Sequence, residues 1–411
     1  MRLPRQLLAR RGGGVRAACV FVLVVAGLVS TEAAAAQSPS AVDGQVSVAA
    51  VDLRQAGARC DGRGNDQPAL QSAIDAMAAR GGGTVWIPAG TCRIVQTGTA
   101  VLTQRYGGVT IRGRSAMSQL TLDSDDPTGF RELFSVSGAG SGLVSLRLVR
   151  ARDLYTVMID IKQSTGFRLT DVVVDGRQTA AGRQEVHGLR LNADPGTFVR
   201  DVALTRVTIQ KVGYGLFQDR AVTATTDGFR VVDSTFRMNS LDDLEFNSPQ
   251  GTMLDVSVTG STFSQNRATE VSSGAGFGIG LANVQRAEIL DNVFDGYAFE
   301  PVHIEDRSAY VLLEGNRFRR SFTADLNYAS HVFIINASHH ITVTGNDFDT
   351  SANVANTHLD CVYLGAGGGV GEPSYVTITD NVFRLRPNAS AVGDYGSSHV
   401  TVSGNTIIPL S

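Results

Sequence analysis

From about residue 167 onward the chain repeats one short pattern: apolar, any, apolar, any, any, Asn or Ser, any, then Phe or Ile. The copies read "FRVVDSTF", "VSVTGSTF", "AEILDNVF", "VLLEGNRF", "ITVTGNDF", "VTITDNVF" and "VTVSGNTI". They close on Phe236, Phe263, Phe294, Phe318, Phe348, Phe383 and Ile407, 24 to 35 residues apart, and weaker copies end at Ile209 and Val174. Each is a short strand with alternating faces, and turn residues separate one from the next. No helical period lies between them, so the repeat is not a βαβ unit. One coil cannot bury its own apolar face, so the coils must stack. The pattern predicts an all-β chain: a single right-handed parallel β-helix of about ten coils. Asn292, Asn316, Asn346, Asn381 and Asn405 then form a ladder of side-chain amides.

A second strand per coil lies between the copies: "GLRLN", "GLFQD", "DLEFN", "GIGLA", "VHIED", "FIINA" and "VYLGA". Alternation turns one column of residues outward: Arg190, Phe217, Glu245, Gly280, His303, Ile334 and Tyr363. Two residues further on lies a second column: Asn192, Asp219, Asn247, Ala282, Glu305, Asn336 and Gly365. Asp243 and Glu245 are expected to point out of one coil, and His303 and Glu305 out of the next but one. Gly278, Gly280 and Ala282 would leave a floor without side chains between them. At about 4.8 Å per coil the acidic strands stand about 10 Å apart. That approaches the roughly 6.5–9.5 Å between the carboxyl groups of an inverting glycosidase. Phe217 and Tyr363, at the two ends, offer rings for stacking on sugars.

The N-terminal part of this region, residues 50–94, reads as strand, Gly/Asp turn, helix, Gly turn, strand. Asp66 is placed to cap the helix, with Pro68 in its first turn. This segment resembles the entry motif of the pectate-lyase-3 type β-helix superfamily, which includes polygalacturonases of glycoside hydrolase family 28 and phage tailspike depolymerases. The resemblance implies a helix that plugs the end of the stack. The chain departs from that family at Cys60 and Cys92, and two such cysteines in one cap motif are expected to pair.

The resemblance also bears on chemistry. "DDLEFNS" is similar to the paired-aspartate motif of polygalacturonases, which implies an acid and a water-activating base at Asp242 and Asp243. "GFGIGL" resembles the family's Gly-His-Gly motif but has Phe277 where histidine belongs. "VHIED" stands in place of an Arg-x-Lys motif that binds a uronate carboxylate, with Arg307 or Arg190 as substitutes. The catalytic set expected is Asp242, Asp243, Glu245, His303 and Glu305. Asp219, Phe217, Arg190, Asn247, Arg307 and Tyr363 are expected to bind substrate. For the two aspartates, turn bonding to nearby amides and a calcium site are the competing readings. No other cofactor is expected.

Composition narrows the partners. Five arginines precede the apolar run "AACVFVLVVAGLV" and the small residues up to Ala36, the form of a secretory signal peptide over residues 1–36. Residues 37–49 then read as a linker and 50–411 as the β-helix domain. Without the signal, 31 basic and 38 acidic residues remain, a balance that argues against nucleic acid. No second apolar stretch suits a membrane. The expected protein is exported to the periplasm or beyond, as a monomer or homotrimer. It would act as a glycoside hydrolase on a polysaccharide or oligosaccharide, with a lyase or uronate epimerase, or a non-catalytic carbohydrate-binding β-helix, as the alternatives.

Overall fold

The computed structural model describes residues 49–411 apart from 97–101, 105–106, 126–129, 153, 179–185, 192–194, 219–222, 268–275, 298–299, 322–328, 353–358 and 369. The expected signal peptide, nearly all of the expected linker, and Asn192 and Asp219 lie outside the described residues.

The chain forms a right-handed parallel β-helix. Among the described residues all strand pairings are parallel and join each strand to its counterpart one coil away, in a 24-stranded and a 12-stranded sheet. A representative coil runs Leu244–Asn247, Thr252–Thr259, Thr262–Ser264. We call these the first, second and third strands of a coil. The inward residues are Val, Ile, Leu and Phe, almost all without solvent exposure.

Two internal stacks hold the register. Phe236, Phe263, Phe294, Phe318, Phe348 and Phe383 lie face to face, with ring centroids 4.7–5.0 Å apart and planes within 12°. The five asparagines form the expected ladder, each Nδ2 donating to the next Oδ1 at 3.0–3.1 Å. Each Oδ1 also accepts the backbone N–H of the previous rung, as when Asn292 N donates to Asn316. Ser261 and Ser234 continue the ladder upstream, because a hydroxyl can accept the same backbone N–H: Ser234 N donates to Ser261 Oγ.

The cap helix spans Gln67–Ala78 and buries Leu70, Ala73, Ile74 and Met77. Asp66 precedes it but does not cap it with its side chain. Its carboxylate accepts the backbone N–H groups of Arg59, Cys60 and Arg93, tying the preceding loop to the strand Gly90–Gln96. Asn65 Oδ1 takes the N–H of Gln67 instead. Cys60 and Cys92 form a disulfide beside it. No helix among the described residues is long and apolar enough to cross a membrane.

Candidate active site

Strand register sets Asp160, Arg190, Phe217, Glu245, Gly280, His303, Phe333 and Tyr363 in one outward column, one residue per coil. The column matches the sequence expectation except at Phe333. Ile334 turns into the core with no exposure, and Phe333 faces out. The ring of Phe333 is held between Tyr363, at 4.4 Å, and His303, at 5.1 Å.

The glycine coil is not an open floor. The Glu245 carboxyl lies over Gly280, where a β-carbon would overlap Oε2. Phe277 covers the adjoining space and stacks on His303 at 4.4 Å. Glu245 therefore leans from its own coil toward His303. Its residue stays partly exposed while Oε2 is enclosed.

Asp242 and Asp243 part company. Asp242 Oδ1 accepts the N–H groups of Gly276 and Phe277, and its carboxyl bonds to that of Glu245. Asp243 does not point outward as expected. The strand begins only at Leu244, so alternation does not extend back to it. It turns inside and accepts hydrogen bonds from the Tyr297 hydroxyl and from Asn239 Nδ2.

Burial governs the charges here. It raises Asp242 to about 6, against the pull of the two amides. Burial and the neighbouring Asp242 raise Glu245 well above the carboxylate range. Burial and mutual repulsion thus disfavour two charges on this pair, and Glu245 is the partner pushed further up. Burial raises Asp243 to about 7 despite its bonds to Tyr297 and Asn239. For His303 burial works against the charge, but Glu300 and Glu305 outweigh it and lift the imidazole to about 10. Nδ1 lies 2.5 Å from Glu300 and Nε2 3.5 Å from Glu305. The site therefore sets a carboxyl pair with raised proton affinity beside a histidine held between two glutamates.

Upstream, Arg190 is no free cation. It grips Asp160 through two hydrogen bonds at 2.7 and 3.0 Å and Glu132 through one at 3.0 Å. Lys162 Nζ stands 3.6 Å from Asp160 and 3.8 Å from Glu132. Burial and Asp160 raise Glu132 to about 7. Phe217 packs with Tyr214 and His187 at 4.6 and 5.0 Å, and Tyr363 stacks on Tyr395 at 5.0 Å. Asn247 follows Glu245 in the next column, paired with Ala282. Arg307 lies exposed on the turn after His303 and Glu305.

The structure thus brings together Asp242, Glu245, His303 and Glu305. Sequence reasoning missed Glu300, Tyr214, Phe277 as the partner of His303, and the Glu132–Asp160 pair. Glu300 and Tyr297 stand outside any strand, where alternation says nothing.

Among the described residues, one group of ligand atoms is set closely enough for a metal: Cys60, Asp66 and Cys92. Both of its sulfurs are joined in the disulfide. Those residues do not fit a soft metal centre, which needs free thiolates.

Residues 197–363 match a family described as "Periplasmic copper-binding protein (NosD)". The mannuronan C5-epimerase AlgE3 of Azotobacter vinelandii is 31% identical over 39% of this chain, a match that spans 8% of the epimerase. AlgE2 of the same organism is 26% identical over 60% of this chain and 24% of its own length. The chain thus spans a small part of the curated relatives it matches. Among solved structures, the A-module of the A. vinelandii epimerase AlgE4 superposes with a TM-score of 0.52 at 16% identity, over 88% of this chain and 97% of the module. A DFA-IIIase from Arthrobacter chlorophenolicus A6 gives a TM-score of 0.51 at 12% identity, covering 86% of each chain. At these identities the structural likeness shows the fold.

Proposed function

We propose that the groove around Glu245 acts on a polysaccharide or oligosaccharide and hydrolyses a glycosidic bond. The observation that carries this reading is the contact between the carboxyls of Asp242 and Glu245 on one side of the glycine coil, with His303 held by Glu300 and Glu305 on the other. Glu245, kept protonated by burial and by Asp242, is the general acid that protonates the leaving oxygen. Glu305, two coils on, is the base that takes a proton from the attacking water. His303 stands beside it as a fixed positive charge. Asp242 is too close to Glu245 to leave room for a water, so it sets the acid's proton affinity and is not itself the base. Two coils separate the strands by about 10 Å, and the lean of Glu245 over Gly280 shortens this toward the inverting range. A calcium ion at Asp242 and Glu245 would need both carboxyls charged, which burial disfavours.

The relatives support a carbohydrate-active protein, since their names include epimerases and a DFA-IIIase. The Cys60–Cys92 disulfide supports an exported, oxidising location.

Uronate epimerisation or elimination is the second reading. It is favoured by the epimerase sequence match and by two cations, Arg190 in the Glu245 column and Lys162 beside it. Such chemistry needs a cation on the uronate carboxylate, and here both cations already face Asp160 and Glu132.

The test is the purified protein on a panel of neutral and uronic polysaccharides, with Glu245→Gln and Glu305→Gln alongside. New reducing ends without unsaturation, lost in both variants, are expected. Unsaturated products, or a changed uronate composition without scission, would replace hydrolysis by the second reading.

A further inference from the structure

A second groove runs along the second strands of the coils. In these strands the residue before each inward Val, Ala, Ile or Phe takes the left-handed conformation, coil after coil. Upstream that position holds Asp201, Gly228 and Asp255, which tolerate positive φ, and then Arg286. After Arg286 it holds rings: Tyr310, His340, Tyr375 and His399, with φ of 58°, 56°, 55° and 56°. Large residues take positive φ at other turns of this fold too, so it is the succession of rings and not the backbone conformation that sets this stretch apart.

The four rings stack in sequence at 4.9, 4.8 and 4.5 Å. Tyr310 and Tyr375 are 57% and 51% exposed. Beside them runs a column of outward Leu312, Thr342, Thr377 and Thr401. Together they line a cavity of about 750 Å³. A second cavity of about 470 Å³ shares Tyr310 and Leu312, so the groove continues along the solenoid.

We propose that this face binds a neutral glycan chain lying along the solenoid axis, at a site separate from the Glu245 groove. The lining from Tyr310 to His399 offers phenol, imidazole and threonine hydrogen-bonding groups and contains no carboxylate or arginine. That chemistry matches uncharged sugar hydroxyls rather than a uronate. Charge enters only in the second cavity, upstream of Tyr310, which Arg230, Asp255, Arg286 and Glu288 line; there Arg286 and Asp255 satisfy each other at 2.7 Å. The rings recur once per coil, a step close to the length of one sugar in an extended chain. A protein partner would need a broad apolar core, and one column of rings flanked by hydroxyls does not supply it. The proposal goes beyond the catalytic reading and does not depend on it.

The test is native electrophoresis of the full chain through gels containing soluble neutral glucans or fructans, or alginate. Wild type, Glu245→Gln and the double variant Tyr310→Asn/Tyr375→Asn are compared. Asparagine accepts positive φ, so the double variant should melt no lower than wild type. At least one neutral glycan should retard wild type and Glu245→Gln alike, and the double variant should bind it at least tenfold more weakly. Retardation by alginate alone, by none of the glycans, or equally in the double variant would overturn the proposal. So would a concentration-dependent oligomer lost in the double variant, which would assign the face to self-association. Absence of cleavage with retardation intact would count against the Glu245 mechanism alone.

Discussion

The carboxyl of Glu245 occupies the space that a β-carbon on Gly280, one coil away, would need. Gly280 is not in the left-handed region, so its role is to make room and not to bend the chain. Gly280→Ala should push Glu245 off its position. We expect kcat to fall at least tenfold, with a stability loss of about 1–3 kcal/mol from overpacking. Steady-state kinetics with a thermal melt check this; an unchanged kcat would mean that the carboxyl's position over the glycine is irrelevant.

Asp242 sets the proton affinity of Glu245. Glu245→Gln should lower kcat by about 10²–10⁴ while the protein stays folded. Asp242→Asn removes a neighbouring negative charge that, after burial, raises Glu245. Glu245 then loses its proton at lower pH, and the alkaline limb of the rate profile should move acidward. An alkaline limb at the same pH in both proteins would assign that limb to another group.

His303 is charged because two glutamates outweigh its burial. Glu300→Gln removes the closer of them. The imidazole should then titrate below the value of about 10 it has in the wild type. A histidine NMR titration reads this directly, and an unshifted titration would show that Glu300 does not hold the charge.

Asp243 is a cost to the fold above acid pH. Its folded pKa of about 7 lies above the ordinary aspartate value, so its unfolding linkage has a definite sign. The stability it allows is complete below about pH 4 and declines as pH rises toward 7. Asp243→Asn, which cannot ionise, should gain on the order of 2–4 kcal/mol at pH 8 relative to wild type. The gain should vanish near pH 4. Urea melts across that range test it, and a pH-independent difference would show that hydrogen bonding and not ionisation decides.

The disulfide closes a separation of 32 residues around the cap helix. Reduction, or Cys60→Ser with Cys92→Ser, should cost roughly 3–4 kcal/mol by loop entropy. Melting with and without reductant measures it. An equal melting temperature would mean that the cap does not unfold with the solenoid.

The solenoid was legible because its repeat carries its own register. An apolar alternation closed by Asn and Phe recurs, and the ladder it implies is present from Asn292 to Asn405. Ser261 and Ser234 extend that ladder by the same backbone bonds. The outward column was legible wherever apolar and polar residues alternate. It slipped at "FIIN", where three apolar residues in a row leave two registers equal, and contact with Tyr363 and His303 selects Phe333. Asp243 was misplaced because alternation was carried back across a turn. The partners of His303 and Arg190 were hidden for another reason: coil stacking brings together residues that sequence distance separates. Glu132 and Arg190 are 58 positions apart and meet through one hydrogen bond.

The spacer coil Ile279–Ala282 has a geometric consequence. Glu245 and His303 sit on different turns of the solenoid, so their backbones can approach or recede only in whole steps of about 4.8 Å. No point substitution can tune that gap gradually. Deleting this turn would halve it and duplicating it would add one step more, so divergence in such a site proceeds by jumps in coil number, and fine adjustment is left to side-chain length.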